Sequence, residues 1–190
     1  MHHVFVTLVS GLPRSGTSMM MRMLEAGGMR VLVDHVRTAD EDNPEGYYEF
    51  ERVKKIEHDT AWLEDARGRV VKMISALLTH LPPCHSYKIV FMRRNLDEVL
   101  ASQRQMLIRR GKPTDTSSDE RMAQFFTNHL RRIEAWLAAQ PNLDVLYVSY
   151  NELMEEPETH CTRVAEFLGL PLDPKRMASV ASGVLYRQRH

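Results

Sequence analysis

Cysteine is scarce in these 190 residues: Cys84 and Cys161 stand 77 positions apart, and no CxxC pair occurs. That argues against a disulfide framework and against a structural zinc site. The nine histidines include no HExxH, so no metal-ligand set stands out. Net charge is missing too, because 25 Lys and Arg balance 25 Asp and Glu. A globally basic nucleic-acid coat and a polybasic membrane binder are thereby excluded, though local charge is not. No apolar run approaches the ~20 residues of a membrane span, and the first run, residues 4–9, is too short for a signal peptide. Repeats, low-complexity tracts and long Gly/Ser linkers are absent as well. The expectation is a soluble, cytoplasmic chain forming one domain over residues 1–190, long enough to bury a core without staples.

What is present is unevenly distributed. Arginine supplies 19 of the 25 basic residues; its planar fork of donors suits phosphate, sulfate and carboxylate, although GC-rich coding gives the same bias. Short β-like runs alternate with helical stretches, which predicts an α/β fold: three layers, α/β/α, around a mainly parallel central sheet. Strands are expected at 4–10, 30–33, 69–74, 87–92 and 145–148, and helices at 16–26, 96–110, 118–139 and 158–168. Gly169-Leu170-Pro171 marks a helix stop. Cys161 and the Met19, Met20, Met21, Met23 face of the first helix read as core.

The strongest local signal is VFVTLVSGLPRSGTSMMMRML, residues 4–24. A buried strand ends at Gly11, the loop Leu12-Pro13-Arg14-Ser15-Gly16 follows, and Thr17 opens a helix. Backbone N–H groups and the helix N-terminus converge there on one point, an anion site. Thr17 and Ser18 add hydroxyl donors. Gly11 and Gly16 hold the spacing of the nucleotide-triphosphate loop GxxxxGK(S/T), but Thr17 stands where its Lys belongs and the cation is Arg14. Such a loop is P-loop-like, but without the Lys that reaches the β/γ-phosphates it disfavours NTP chemistry.

Pro13-Arg14-Ser15-Gly16-Thr17-Ser18 resembles the 5′-phosphosulfate loop of the sulfotransferase family, PxSGT followed by Ser or Thr. Cytosolic members usually carry Lys at the place of Arg14; tyrosylprotein sulfotransferases and many bacterial members carry Arg. A second stretch, YKIVFMRRNLDEVLASQRQML at 87–107, is similar to the family's 3′-phosphate motif, a strand ending in Arg with Ser eight residues on. Arg94 and Ser102 have that spacing, while Leu96 replaces the usual Pro and Arg93 faces either solvent or substrate. A third, VLYVSYNELMEEPETHCTRVAEFLGLPLD at 145–173, puts Tyr150 at a position that lies near adenine in relatives; Asn151-Glu152-Leu153 departs from the usual acidic pair. The family's C-terminal RKGxxGxW segment has no counterpart. The chain closes on a basic tail, expected to fray, in which Arg187 or Arg189 could supply the lost contact.

The resemblance implies 3′-phosphoadenosine-5′-phosphosulfate (PAPS) as donor and no metal, with an acceptor hydroxyl or amine attacking sulfur in line. Donor contacts fall on Pro13, Arg14, Ser15, Gly16, Thr17, Ser18, Arg94, Ser102 and Tyr150, with Arg14 as the catalytic cation. An alcohol acceptor also needs a base. The best candidates are Glu45 and Glu49 in Asn43-Pro44-Glu45-Gly46-Tyr47-Tyr48-Glu49-Phe50-Glu51, which resembles a bacterial sulfotransferase segment; Glu49 fits it best, and Asp34, His35 and His80 stand in reserve. Lys72, on the third strand, is a possible donor or acceptor contact. The acceptor is a small molecule, glycan or peptide, with no nucleic acid or membrane partner. Two rivals stand beside this reading, a kinase or NTPase with a displaced cation and a non-catalytic nucleotide-binding protein.

Overall fold

The structure, a computed structural model, describes residues 5–34, 36, 46–109, 111 and 116–188, without the side chains of 116–118 and 182–188. Five strands are found among them: β1 Phe5–Gly11, β2 Arg30–Val31, β3 Arg69–Lys72, β4 Ser86–Arg93 and β5 Leu143–Ser149. They form one parallel sheet in the order β2-β3-β1-β4-β5, with Val9 opposite both Lys72 and Val90. Side chains alternate across a strand, and both faces here are apolar, as a sheet covered on both sides requires. Val9, Val70, Val90, Met92 and Val148 face one layer; Leu8, Val71, Ile89 and Phe91 face the other.

The first layer holds α1 Thr17–Ala26, α6 Pro157–Leu168 and α7 Pro174–Gln188. Met20, Met21, Met23 and Leu24 of α1, Cys161 of α6 and Met177 of α7 are fully buried there, as the apolar spacing predicts for the methionines and the cysteine. Against the other face lie α4 Thr116–Ala138, through Ile133 and Leu137, and the single turn α2 Trp62–Asp65, through Trp62 and Leu63. Each such large side chain contributes about 1.5–3 kcal/mol when fully buried. The helix α3 Leu96–Arg109 follows β4 and packs beside α4 through Val99, Leu100 and Phe126. The three-layer α/β/α expectation therefore holds.

Four local expectations change. β2 is two residues long instead of four, and β3 stops at Lys72 because the chain turns into a 3₁₀ segment at Ser75–His80. A short helix α5, Tyr150–Glu155, follows β5 directly, its start capped by Ser149 Oγ accepting the Glu152 N–H at 3.3 Å. The C-terminal segment is no frayed tail. It forms α7, which Asp173 caps by accepting the N–H groups of Lys175 and Arg176 at 3.0 and 3.1 Å, with Pro174 first in the helix. Its Met177 packs so tightly on the end of α1 that a Cβ on Gly27 would lie 2.6 Å from Met177 Cγ.

Candidate functional site

The sheet order places a topological switch between β1 and β4, since the chain builds β2 and β3 on one side of β1 and then crosses to β4. Ligands of open α/β sheets bind at the carboxyl ends of strands at such a point. The loop after β1 and the β4–α3 junction both open there. The loop is held by its own contacts: Ser15 Oγ donates to the Leu12 carbonyl at 2.7 Å, and the Ser15 N–H reaches the same oxygen at 3.2 Å. Ser15 is thus a buried structural brace rather than an exposed donor. Pro13 is exposed, and Arg14 sits at φ 69°, a region costly for a residue with a Cβ. Gly16, at φ 94°, precedes α1, and a Cβ there would lie 2.5 Å from Tyr150 Cδ2.

No side chain caps the N-terminus of α1, and its first turn holds no acidic residue. Its first N–H groups, with half-buried Thr17 and Ser18 beside them, are left open at the crevice end of the sheet, an arrangement suited to an anion. Ser18 Oγ donates to the Tyr47 carbonyl at 3.3 Å and accepts from Lys72 Nζ at 3.2 Å; the same ammonium donates to the Tyr47 carbonyl. The segment 46–50, which turns at Tyr48 (φ 52°), is thereby strapped beside the loop, with the Tyr47 side chain buried.

Arg14 Nε donates to Ser102 Oγ of α3 at 2.8 Å, joining positions 88 residues apart. Arg94 lies against the same loop: its NH1 donates to the Arg14 carbonyl at 3.2 Å, and its guanidinium stacks 4.4 Å from the centroid of Tyr150. Glu98 accepts from Arg94 Nε at 2.8 Å and from Asn151 Nδ2 at 2.7 Å. The Arg94 bond first, and the Asn151 bond second, hold the Glu98 carboxyl below its ordinary value. Arg14, Gly16, Arg94, Ser102 and Tyr150 are thus one cluster. Arg93 turns away, pairing with Glu134 at 2.8 Å and stacking on Tyr147.

The base candidates scatter. Glu49 lies two residues beyond the Tyr47 carbonyl and 3.5 Å from Lys54 Nζ. Asp34 accepts backbone N–H groups from Val36 at 3.1 Å and Glu51 at 2.5 Å, a turn brace. His80 pairs with Glu57 at 3.1 Å. Glu45, His35 and Arg189 lie outside the described residues, as does the side chain of Arg187. Sequence reasoning missed Glu98 and Asn151. The i,i+4 spacing of Arg94 and Glu98 was a usable signal for the first, whereas nothing local marks the second. Among the described residues, no group of three or more His, Cys, Asp or Glu could hold a metal ion, and no helix is long and apolar enough to cross a membrane.

A family model described as sulfotransferase domain matches residues 6–187. Among solved structures, a sulfotransferase from Alicyclobacillus acidocaldarius is similar over 87% of this chain and 81% of that one, with TM-score 0.51 and 14% identity. A mouse sulfotransferase complexed with PAP gives TM-score 0.54 and 18% identity over 94% of this chain, which spans 62% of the mouse one. The sulfotransferase domain from the curacin biosynthetic pathway gives TM-score 0.52 and 14% identity over 93% and 77%. At these identities the three share the fold. No curated protein matches.

Proposed function

The chain belongs to the sulfotransferase family, so sulfate transfer is its chemistry, and we propose that the sulfuryl donor is PAPS and the acceptor a hydroxyl or amine. The observation that supports this most is the Arg14 Nε to Ser102 Oγ bond at 2.8 Å, with Arg94 against the Arg14 carbonyl. It unites the loop suited to a 5′-phosphosulfate with the strand–helix junction suited to a 3′-phosphate. In this reading the α1 N–H groups, Thr17 and Ser18 bind the 5′ end, Arg94 and Ser102 bind the 3′-phosphate, and Tyr150 offers a flat ring beside adenine.

The acceptor oxygen or nitrogen forms a bond to sulfur opposite the bridging oxygen, and the S–O bond to the 5′-phosphate breaks. The electron pair leaves with adenosine 3′,5′-bisphosphate. Charge grows on the bridging and equatorial oxygens, where Arg14, Lys72 and the loop donors stabilise it without rearranging, as in phosphoryl transfer. The acceptor proton goes to Glu49, carried toward the loop by the strap that Tyr47 ties to Ser18 and Lys72.

The test is the thermal midpoint with adenosine 3′,5′-bisphosphate, ATP, and ATP with Mg²⁺. At one hundred times its Kd a ligand adds about 2.7 kcal/mol, or roughly 5–10 °C for a chain of this size. A bisphosphate shift with a weak, Mg²⁺-independent ATP response is expected. No bisphosphate response at millimolar concentration overturns the reading, and a Mg²⁺-dependent ATP shift transfers it to the kinase or NTPase rival. Binding without transfer across an acceptor panel identifies a non-catalytic nucleotide binder.

A further inference from the structure

Three separate parts of the chain meet at one guanidinium. Arg94 leaves the end of β4, Glu98 lies one turn into α3, and Tyr150 and Asn151 open α5. Along one edge, Arg94 Nε donates to Glu98 Oε2 at 2.8 Å. Beneath it the Tyr150 ring lies 4.4 Å away, itself fixed by its fit against Gly16. At one tip, NH1 donates to the Arg14 carbonyl at 3.2 Å. Glu98 is held in turn, because its other oxygen accepts from Asn151 Nδ2 at 2.7 Å, while Asn151 Oδ1 accepts the Asn95 N–H at 3.3 Å. The ring of contacts closes on the residue that follows Arg94.

On the assumption that the donor is PAPS, as proposed above, we propose that Glu98 and Asn151 are positioning residues that aim Arg94 at the 3′-phosphate. An arginine has five N–H donors in a rigid fork. Glu98 engages the Nε edge and the Arg14 carbonyl engages one terminal nitrogen, which leaves the other terminal nitrogen for the 3′-phosphate in this proposal. A long flexible side chain ordered before the ligand arrives does not lose that freedom on binding. The identity of residue 151 matters for the same reason. A carboxylate there would set two anions 2.7 Å apart at Glu98 Oε1, and one of them would have to take a proton or move away. An amide donates where a carboxylate could only repel.

The experiment measures Kd for adenosine 3′,5′-bisphosphate and for adenosine 5′-phosphate by calorimetry, with melting curves for each variant. Adenosine 5′-phosphate shares the loop and the Tyr150 ring with the bisphosphate but offers no 3′-phosphate to Arg94, so it serves as the internal control. Glu98→Gln and Asn151→Ala should each weaken the bisphosphate about tenfold, the scale of one misaligned charge-assisted hydrogen bond. Adenosine 5′-phosphate should bind within about twofold of wild type in both, and Asn151→Asp should lose more bisphosphate affinity than Asn151→Ala. The double variant Glu98→Gln, Asn151→Ala should be no worse than its weaker parent, because the two act through the same guanidinium. Glu98→Asp, which keeps the charge but withdraws the carboxylate by one methylene, gives the same outcome should the larger changes unfold the chain. Parallel loss of both ligands overturns the proposal, as a merely structural role would produce it. Unchanged discrimination in the variants overturns it too. A wild-type protein that binds adenosine 5′-phosphate and the bisphosphate equally removes the donor reading itself, a failure distinct from that of the clamp.

Discussion

Replacing Gly16 by alanine tests how the phosphate loop and the third motif are joined. Two costs follow from the geometry. The backbone at φ 94° lies where a residue with a Cβ is strained, by roughly 1–2 kcal/mol for left-handed conformations. The added methyl would also sit 2.5 Å from Tyr150 Cδ2 and 3.1 Å from Cε2, so the ring must swing aside, an overpacking cost of about 1–3 kcal/mol. Together these give about 2–5 kcal/mol of destabilisation. With a urea slope near 2 kcal/mol/M, the unfolding midpoint should fall by roughly 1–2.5 M. Bisphosphate affinity should fall as well, since the ring that moves is the one under Arg94. Tyr150→Ala removes the clash but not the backbone strain, so in the Gly16→Ala background it should cost less than in wild type. Urea titration of the four proteins reads the coupling directly, expected at about 1–3 kcal/mol. Additive costs, or a Gly16→Ala protein that unfolds with wild type and binds undiminished, would refute the argument that Tyr150 and the loop share one space.

Arg14→Ala should lower single-turnover transfer about 10²–10³-fold at saturating donor, the scale of one lost charge-stabilising donor. Arg94→Ala should instead raise the donor Kd with little change in that rate, and rapid-quench kinetics across donor concentrations separates the two. His129 receives or gives a hydrogen bond at 2.8 Å with Ser75 Oγ, and burial, then nearby Arg132, lowers its pKa below 6.5. A base with a depressed folded pKa gives the unfolded state the greater proton uptake, so this stability is complete above pH 6.5 and is lost as pH falls below it. His129→Asn should therefore show a smaller drop in urea midpoint between pH 7.5 and 5.5 than wild type. An equal drop would exclude His129 as a source. Cys161 is fully buried and its thiol is pushed up to about 12 by burial, then by Glu158, whereas Cys84 is exposed. A thiol reagent at pH 8 should titrate one group in the native protein and two in denaturant; two in the native protein would contradict that burial.

The parts of this site that were legible in the sequence are those encoded locally. The strand–loop–helix from β1 to α1 is a continuous stretch whose Gly, Arg, Ser and Thr spacing has a direct backbone meaning. The Arg94–Ser102 spacing likewise survives folding because both lie on one strand–helix unit. α7 has its start written in Asp173-Pro174, a cap followed by a residue suited to the first helical position, yet beside a basic ending its apolar face rests on only Met177, Ala178 and Ala181, all buried in one cluster with α1. α5 is six residues long, too short for a periodic pattern to declare itself. The Glu98–Asn151 bond spans 53 positions and the Arg14–Ser102 bond 88, and such contacts exist only once the sheet order brings β1, β4 and β5 side by side. The proposed base is the least legible element, because the pairing of Glu49 with Lys54 depends on a 3₁₀ turn at Glu51–Lys55 that no hydrophobic pattern announces.

Charge shows the same difference between what is local and what is assembled. From Arg93 to Lys112 the chain carries six bases against two acids, an excess that by itself suggests a positive field drawing in an anionic donor. Folding cancels much of it. Arg93 pairs with Glu134, Arg94 with Glu98 and Arg104 with Asp119, two of those acids arriving on α4. Charges so paired add little at a distance, and in physiological salt the remainder is screened within about 8 Å. The pairing leaves direction intact, however. Arg94 keeps a fixed orientation, bonded to Glu98 and the Arg14 carbonyl, although Glu98 balances its charge, and the N–H groups of α1 carry no net charge at all. In the proposed reading, anion recognition at this site is a short-range matter of donors held in place, which is why a change of geometry at Gly16, Glu98 or Asn151 should matter more than a change of net charge elsewhere on the surface.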